Sequence, residues 1–319
     1  MIKKVAVLTS GGDAPGMNAA IRSVIRAGLY NGLEMYVVYD GLKGLVEGNI
    51  RQVNKDFTQD IINRGGTILR SSRLPEFKEL DIQKKAAQRL SDYDIDALVG
   101  IGGDGTFRGL RDLSKQGVKV MGIPGSIDND VASSDYTIGF MTALNTICDC
   151  IDKIKDTSSS HQKCSIIEVM GRHCGDLAMY SSLAEAAELT LTAYQPLDEE
   201  HIFKRLRKMK AQKKSHAIVV VSENLLDVRE LGKKIQAETG FDTNVEVLGH
   251  LQRGGAPCAF DRILASRMGS KAIQELLDGK ENEVIVSKQD EIIAVDIDEA
   301  LAQEKPKHDD FIKLVKMLQ

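Results

Sequence analysis

Two aspartates, Asp128 and Asp130, are the side chains of this chain best suited to acid–base chemistry. They lie in a turn that reads PGSIDND over residues 124–130, directly after an apolar run at 118–123 that predicts a buried strand. One carboxylate can accept the proton of an attacking hydroxyl while the other helps to hold a metal ion, and Ser126 can donate a hydrogen bond to a phosphoryl group. The alternative is an Asx-turn without a chemical role.

A second turn, GGDGT at 102–106, follows another predicted strand, Ala97–Ile101. Three glycines around Asp104 leave an open backbone with one oxygen ligand. Such a site suits Mg²⁺, which bridges to phosphates through one or two carboxylates. The alternative interpretation makes Asp104 the N-cap of a helix that begins near Thr106.

A third turn, SGGDAPG at 10–16, joins the predicted strand Lys4–Thr9 to a helix predicted to begin near Met17 or Asn18. Glycines let backbone N–H groups approach a phosphate, and the helix N-terminus adds positive potential; a simple tight turn is the alternative. The turn is neither a Walker A loop nor a dinucleotide fingerprint. Phosphate, metal and base sites together predict phosphoryl transfer, which also needs cations around the phosphoryl oxygens. The candidates in turn-like settings are Arg73, Arg172, His250 and Arg253.

Apolar runs alternate with helical patterns along the chain. The other predicted strands are Met35–Tyr39, Ser165–Met170, Ala217–Val221 and Val245–Leu248, and the strand within 118–123 is predicted as Lys119–Ile123. Most of these strands are continuously apolar, as expected for strands covered on both faces. Apolar residues recur at helical spacing over 140–154 and 260–276. This alternation predicts a doubly wound α/β architecture with largely parallel sheets, in which ligands gather at the carboxyl ends of the strands.

Composition excludes several function classes. A net charge of -4 without a basic tail argues against binding to nucleic acid. No apolar run approaches the roughly 18 residues of a membrane helix. The 5 cysteines show neither a CxxC pair nor zinc spacing, which predicts reduced thiols in a cytoplasmic protein.

These turns resemble motifs of the bacterial ATP-dependent 6-phosphofructokinase family, and the resemblance covers essentially the whole chain. The matching text is TSGGDAPGMN at 9–18, GGDGT at 102–106, PGSIDND at 124–130, TSSSHQ at 157–162, MGR at 170–172 and LGHLQRGG at 248–255.

The resemblance implies a reaction in which ATP, as its Mg²⁺ complex, phosphorylates the 1-hydroxyl of fructose 6-phosphate. It implies two doubly wound three-layer α/β domains with the active site in the cleft between them. The ATP-binding domain would comprise residues 1–138 and 251–301, and the sugar-phosphate-binding domain residues 139–250 and 302–319. A homotetramer is also implied, with active sites completed across one subunit interface and sites for an ADP or phosphoenolpyruvate effector across another.

Residue roles follow from the same resemblance. Asp128 is the general base, and Arg172, Ser126 and Asp130 assist it. Asp104 is the metal ligand. The nucleotide would contact Gly12, Arg73, Leu74, Gly103, Asp104, Gly105 and Thr106. The sugar phosphate would contact Ser126, Asp128, Lys163, Met170, Gly171, Arg172, Glu223, Asn244, His250 and Arg253. The effector would contact Arg22 and Arg26, which lie one helical turn apart, and from a facing subunit Lys55, Lys155, Glu188, Lys214 and His216.

Two positions depart from the family pattern. Lys163 and Asn244 stand where the family normally has arginines that reach the 6-phosphate from the neighbouring subunit. Lysine keeps the charge but loses the bidentate fork, and asparagine loses the charge. Weak binding of the 6-phosphate is therefore expected, or a pocket reshaped for tagatose 6-phosphate or sedoheptulose 7-phosphate.

Other functions remain as alternatives. A low-activity regulatory paralogue is one of them. NAD kinases and diacylglycerol kinases share the GGDGT turn but lack the IDND turn, and an oxidoreductase has no dinucleotide fingerprint here. ATP is favoured over pyrophosphate as donor, because Gly105 and Gly125 stand where pyrophosphate-using relatives tend to carry Asp and Lys.

Overall fold

The computed structural model describes residues 2–306 and 308–319, and the strands in this part of the chain form two sheets. The strands are β1 (Lys4–Thr9), β2 (Glu34–Val38), β3 (Ile50–Val53), β4 (Ala97–Gly102), β5 (Lys119–Ser126), β6 (Ile138–Gly139), β7 (Cys164–Val169), β8 (Leu189–Leu191), β9 (Ala217–Ser222), β10 (Thr243–Val247), β11 (Glu283–Lys288) and β12 (Glu291–Asp296).

Helices alternate with most of these strands. They are α1 (Met17–Tyr30), α2 (Gly41–Glu47), α3 (Leu80–Asp92), α4 (Asp104–Ser114), α5 (Phe140–His161), α6 (Asp176–Ala184), α7 (Glu199–Ala211), α8 (Val228–Thr239), α9 (Ala259–Leu277), α10 (Ile297–Ala302) and α11 (Asp309–Leu318). Short 3-10 helices cover Lys55–Thr58, Pro75–Lys78 and Gly249–Arg253. No helix in the described residues is both long and apolar enough to cross a bilayer.

The larger sheet has the strand order β12-β11-β5-β4-β1-β2-β3, with β6 added alongside β5. Its central strands are parallel, whereas β3 and β12 pair antiparallel at the two edges. The smaller sheet, β10-β7-β9-β8, is entirely parallel. The predicted α/β class with largely parallel sheets is confirmed.

Seven predicted strands are present, and the helical spacings at 140–154 and 260–276 belong to α5 and α9. Strands β4 and β9 are buried along their whole length, which explains their unbroken apolar sequences. The sequence prediction missed β3, β6, β8, β11 and β12. Three of these, β3, β8 and β12, are edge strands. Strands β3 and β8 have only 4 and 3 residues, too few to show a strand pattern, whereas β12 contains an apolar run at 292–295 that the prediction overlooked.

Close packing of α4 on the larger sheet positions the second glycine turn. A Cβ atom on Gly122 of β5 would lie 2.8 Å from the ring of Phe107, and one on Gly100 of β4 would lie 2.8 Å from Leu110. Both partners are fully buried on α4. The two glycines therefore let α4 approach the sheet, which fixes where its first residue, Asp104, stands.

Residue contacts divide the chain into two units. The first runs up to Ile127 and includes Val131–Thr142 and Arg253–Lys305. The second holds Asp128–Asp130, Ala143–Gln252 and the chain from Pro306. Each unit has its own apolar core. Residues 128–130 differ from the predicted division, because Asn129 and Asp130 contact side chains of the second unit.

Candidate active site

The turns SGGDAPG (10–16) and GGDGT (102–106) lie side by side at the carboxyl edge of the larger sheet. Strands β1 and β4 are parallel neighbours, and each turn leaves the carboxyl end of its strand. The hydroxyl of Thr106 donates to the carbonyl of Ser10 at 3.1 Å and is buried. Thr106 therefore ties the two turns together, and this hydroxyl is committed to the protein backbone.

The GGDGT turn presents a helix N-terminus with open space around it. A Cβ atom on Gly103 or Gly105 would meet no other atom within 4 Å. Helix α4 begins at Asp104 rather than near Thr106, and Gly103 is its N-cap residue. The alternative of Asp104 as a helix cap is therefore wrong. The helix dipole favours an anion at this end.

Asp104 fits the expected single protein ligand of a metal ion. Its side chain is 40% exposed and lies 3.6 Å from Arg108, one turn along α4. Among residues 2–306 and 308–319, no group of three or more His, Cys, Asp or Glu side chains could hold a metal. One carboxylate beside an open anion site suits Mg²⁺, which keeps several waters and shares phosphate oxygens.

The guanidinium group of Arg253 lies over Gly12 of the SGGDAPG turn. A Cβ atom on Gly12 would be only 2.5 Å from Nη1 of Arg253. Arg253 belongs to the first unit, whereas His250, three residues earlier, belongs to the second. The cation expected on the sugar phosphate is thus adjacent to the turn expected on the nucleotide.

A buried asparagine and a threonine hold the loop that precedes Arg73 and Leu74. The side chain of Asn18 donates to the carbonyls of Arg64 and Gly65 and accepts from the N–H of Ile68. Thr9 donates to the carbonyl of Arg70 at 2.9 Å. Beyond this anchored loop Arg73 is exposed, and Leu74 packs against the core of the first unit.

The PGSIDND turn leaves the carboxyl end of β5, where the strand ends at Ser126. Asp128 is only 7% exposed and Asn129 is 1% exposed. Asn129 has the left-handed φ of 52°, which asparagine tolerates better than most residues. Asp130 lies 3.8 Å from the guanidinium of Arg172, whose side chain is largely exposed.

Three parallel neighbours of the smaller sheet, β10, β7 and β9, carry the other expected sugar-phosphate residues at their carboxyl ends. Met170 follows β7, Glu223 follows β9 and His250 follows β10. Glu223 accepts the backbone N–H of Arg172 at 2.8 Å. This contact holds Arg172 in a left-handed conformation, a device typical of functional loops.

Gly171 allows the tight turn at the end of β7. Its φ is 136°, and a Cβ atom would lie 2.3 Å from the carbonyl oxygen of Cys174. The buried side chain of Gln252 accepts from the N–H of Met170 at 3.0 Å and donates to the carbonyl of Gly249. Gln252 therefore fixes the His250 segment against the Met170 turn.

Acidic groups accumulate at this edge of the smaller sheet. Burial raises the pKa of Glu168 on β7, and the charges of Glu223 and Asp227 raise it further. Arg172 is the cation next to these carboxylates, and it lies 3.8 Å from Asp130.

Lys163 and Asn244 lie at the opposite edge of the same sheet. Lys163 precedes β7, and Asn244 is near the start of β10. Lys163 Nζ is 3.0 Å from Oδ2 of Asp242 and 3.5 Å from Oδ1 of Asn244. Strand β7 has 6 residues, which span about 20 Å. Within one chain, these two residues are therefore not brought together with Met170.

The expected effector residues form separate groups. In the first unit, Arg26 of α1 donates to the Thr58 hydroxyl at 2.8 Å, which joins it to the turn that carries Lys55, and Arg22 lies one turn away on α1. In the second unit, Lys214 pairs with Glu188 at 2.6 Å, Lys155 pairs with Glu185 at 2.8 Å and His216 contacts Ser215.

Three supporting residues were missed by the sequence prediction: Asn18, Gln252 and Asp176. Asn18 and Gln252 stand inside the quoted motifs, but an amide within a motif gives no sign that it braces a distant loop. Asp176 is fully buried and bonds to Asn129. Its only signal was a carboxylate after the glycine of the sequence HCGD.

A largely parallel α/β fold with an open helix N-terminus and carboxylates at strand ends is typical of α/β phosphotransferases. The phosphofructokinase family model matches residues 4–276, and the chain belongs to this family. The chain is 48% identical over 319 residues, 100% of both chains, to an ATP-dependent 6-phosphofructokinase of Vibrio campbellii. It is 51% identical over 304 residues, 95% of both chains, to ATP-dependent 6-phosphofructokinase 1 of Clostridium perfringens.

A solved structure of phosphofructokinase from Saccharomyces cerevisiae has the same fold, with a TM-score of 0.88 and 31% identity. The match covers 98% of this chain and 46% of the yeast chain. Membership of this family removes the NAD kinase, diacylglycerol kinase and oxidoreductase alternatives.

Proposed function

We propose that this chain transfers the γ-phosphoryl group of ATP to the 1-hydroxyl of fructose 6-phosphate. The proposal rests above all on the turn after β5, which carries a nearly buried Asp128 and an Asp130 that contacts Arg172. An open helix N-terminus at Gly103 to Gly105 supplies a phosphate site. The relatives' names support the choice of ATP and of the sugar.

Asp128 accepts the proton of the sugar 1-hydroxyl. The hydroxyl oxygen forms a bond to the γ-phosphorus, the bond from that phosphorus to the β,γ-bridging oxygen breaks, and ADP leaves. Arg172 would offset the charge on the transferring group, which its position 3.8 Å from Asp130 supports, and Ser126 would donate a hydrogen bond to that group. The low exposure of Asp128 keeps competing water away from the base.

Asp104 is proposed as the protein ligand of Mg²⁺. A bound Mg²⁺ would neutralise charge on the phosphate oxygens of ATP. The remaining nucleotide contacts come from the turns of Gly12 and Gly105 and from Arg73 and Leu74. Asp104 would leave its pairing with Arg108, an exposed contact that stabilises little.

The sugar phosphate is proposed to contact Met170, Gly171, Arg172 and Glu223, together with His250 and Arg253. Lys163 and Asn244 begin their strands, so they can reach a 6-phosphate only from a second copy of the chain. The about 20 Å length of β7 supports this. We also propose a homotetramer with shared active sites, as the resemblance to the family implies.

An ADP or phosphoenolpyruvate effector site is also proposed, at the cluster of Arg22, Arg26 and Lys55 facing Lys155, Glu188, Lys214 and His216 of another subunit. A weak response is expected, because Lys214 and Lys155 are already paired with acids of their own chain. The cysteines are all free thiols, and we propose a reducing, cytosolic location.

Asp128→Asn tests the central assignment. It keeps the shape of the side chain but cannot accept a proton, so kcat should fall by about 10²–10⁴-fold while ATP still binds in a calorimetric titration. Asp104→Asn should instead raise the Mg²⁺ concentration required for activity. A variant Asp128→Asn that keeps most of the wild-type kcat would refute the role of base.

The same coupled assay, run with fructose 6-phosphate, tagatose 6-phosphate and sedoheptulose 7-phosphate, tests the sugar. A preference for either of the last two would favour a reshaped pocket at Lys163 and Asn244. No turnover with any of the three would favour a regulatory paralogue.

A further inference from the structure

A cluster of buried polar side chains lies directly behind the catalytic turn, within the second unit. Its centre is Asp176, the first residue of α6, which has no exposed surface. Around it stand Asn129, Tyr194 and His308, three residues from separate parts of the chain. A buried carboxylate is costly unless hydrogen bonds satisfy it, so these partners are required for its stability.

One oxygen of Asp176 holds the catalytic turn. Its Oδ2 accepts from Nδ2 of Asn129 at 2.8 Å. Asn129 stands between Asp128 and Asp130 and has a left-handed φ of 52°. The thiol of Cys174 contacts the Asn129 carbonyl at 3.7 Å from the same side. Asp176 and Cys174 thus contact the side chain and the carbonyl of the residue that stands between the two carboxylates.

The other oxygen of Asp176, Oδ1, contacts two side chains from later in the chain, Tyr194 and His308. The Tyr194 hydroxyl donates to Oδ1 at 3.0 Å. Nε2 of His308 lies 3.3 Å from the same atom, a close polar contact whose geometry is not that of a hydrogen bond. Burial raises the pKa of Tyr194, with Cys174 and Asp176 adding to the effect, so the hydroxyl stays protonated and able to donate.

The C-terminal segment that carries His308 is itself fixed to the second unit. The ring of Phe311 on α11 stacks on Tyr180 of α6, with centroids 4.6 Å apart and planes inclined at 22°. Gln319 donates to the Thr190 hydroxyl at 2.6 Å. Helix α11 therefore holds His308 against the start of α6.

We propose that Tyr194 and His308 are positioning residues for phosphoryl transfer: they orient Asp176, which through Asn129 sets the position of the base Asp128. The C-terminal segment, residues 308–319, thus supports the catalytic turn through His308. This inference rests on the proposed function, because it requires Asp128 to be the base. Neither Tyr194 nor His308 touches the reacting atoms in this arrangement.

The kinetic signature follows from geometry. A shift of roughly 1 Å in a reacting group costs up to about a hundredfold in rate. Loosening Asp176 should therefore lower kcat about tenfold or more and leave KM for ATP within about twofold, since the GGDGT turn is not part of the cluster.

The test uses His308→Ala and Tyr194→Phe in the full chain. His308→Gln should restore most of the kcat, because the glutamine amide can place a donor near the position of Nε2. Met317→Ala is the matched control, since Met317 is on α11 but 73% exposed. Hydrogen–deuterium exchange across residues 127–130, compared between variants, reports on the anchor without any substrate.

The expected result is faster exchange at 127–130 and a lower kcat in His308→Ala and Tyr194→Phe, with Met317→Ala unchanged in both. If Tyr194→Phe and His308→Ala keep wild-type exchange and a kcat within about twofold, the inference is wrong. If all variants, Met317→Ala included, lose kcat in proportion to melting temperature, the cluster is structural only. A wild type with no kinase activity would overturn the proposed function, while the exchange data would still decide whether the anchor exists.

Discussion

Replacing Lys163 and Asn244 together by arginine should lower KM for fructose 6-phosphate at least about tenfold. The family pattern has arginine at both positions. In this chain the two side chains are already neighbours, with Lys163 Nζ 3.5 Å from Oδ1 of Asn244. One of the two positions therefore offers a single ammonium group to a phosphate, and the other offers no charge.

The magnitude follows from the contacts at this edge of the smaller sheet. A charge-assisted hydrogen bond is worth about 1.5–3 kcal/mol, which is about 10- to 150-fold in affinity. Lys163 also pairs with Asp242 at 3.0 Å, but the Asp242 side chain is 60% exposed. Because solvent screens the pair, it stabilises the protein by at most about 1 kcal/mol. Lys163 can therefore leave Asp242 for a phosphate. Most of the deficit therefore lies at Asn244.

The loss of binding free energy for the 6-phosphate should appear mainly as a raised KM, because this phosphate is remote from the reacting hydroxyl. Part of it can reach kcat, since remote binding energy also orients the substrate. Cooperativity between subunits should be reduced in the wild type for the same reason.

Initial rates over a range of fructose 6-phosphate should be measured for the wild type, the two single variants and the double variant. Lys233→Arg, a charge-conserving change at an exposed position of α8, is the control. Asp242→Asn should lower KM slightly by releasing Lys163. A wild type that saturates at low micromolar fructose 6-phosphate, or a double variant with unchanged KM, would show that another cation fills the role.

Three further outcomes are expected. Gly105→Asp should fold normally, because its Cβ meets open space, yet lose affinity for ATP in a direct titration through repulsion of the phosphates; unchanged affinity would separate Gly105 from the nucleotide. The folded pKa of Glu168 is raised by burial and by Glu223, so its contribution to stability is present at low pH and lost as pH rises through that pKa. Glu168→Gln should therefore gain stability over the wild type at pH 8 but not below pH 4 in urea denaturation, and an equal difference at both would contradict this. ADP and phosphoenolpyruvate should change activity only weakly at subsaturating sugar phosphate, because Lys214 is paired with Glu188; a strong cooperative response would contradict this.

The sequence alone determined the features that depend on neighbours along the chain. Mostly apolar runs predicted seven strands, because a strand buried on both faces carries few polar residues. Glycine–aspartate turns at strand ends predicted the candidate base and metal ligand, because the carboxyl ends of parallel strands meet at one edge of a sheet. The edge strands β3 and β8 escaped prediction because they have only 4 and 3 residues, too short a segment to show a strand pattern.

Only the tertiary structure decided the contacts between residues far apart in sequence. Asp176 reaches Asn129 across 47 residues, Gln252 reaches Met170 across 82, and Lys163 reaches Asn244 across 81. Each is a single polar contact, and the residue types involved are equally common on solvated surfaces. The last two pairs meet because the parallel strands β7 and β10 are neighbours in the sheet, and Asp176 meets Asn129 because helix α6 packs against the turn. No local pattern encodes which side chains then meet.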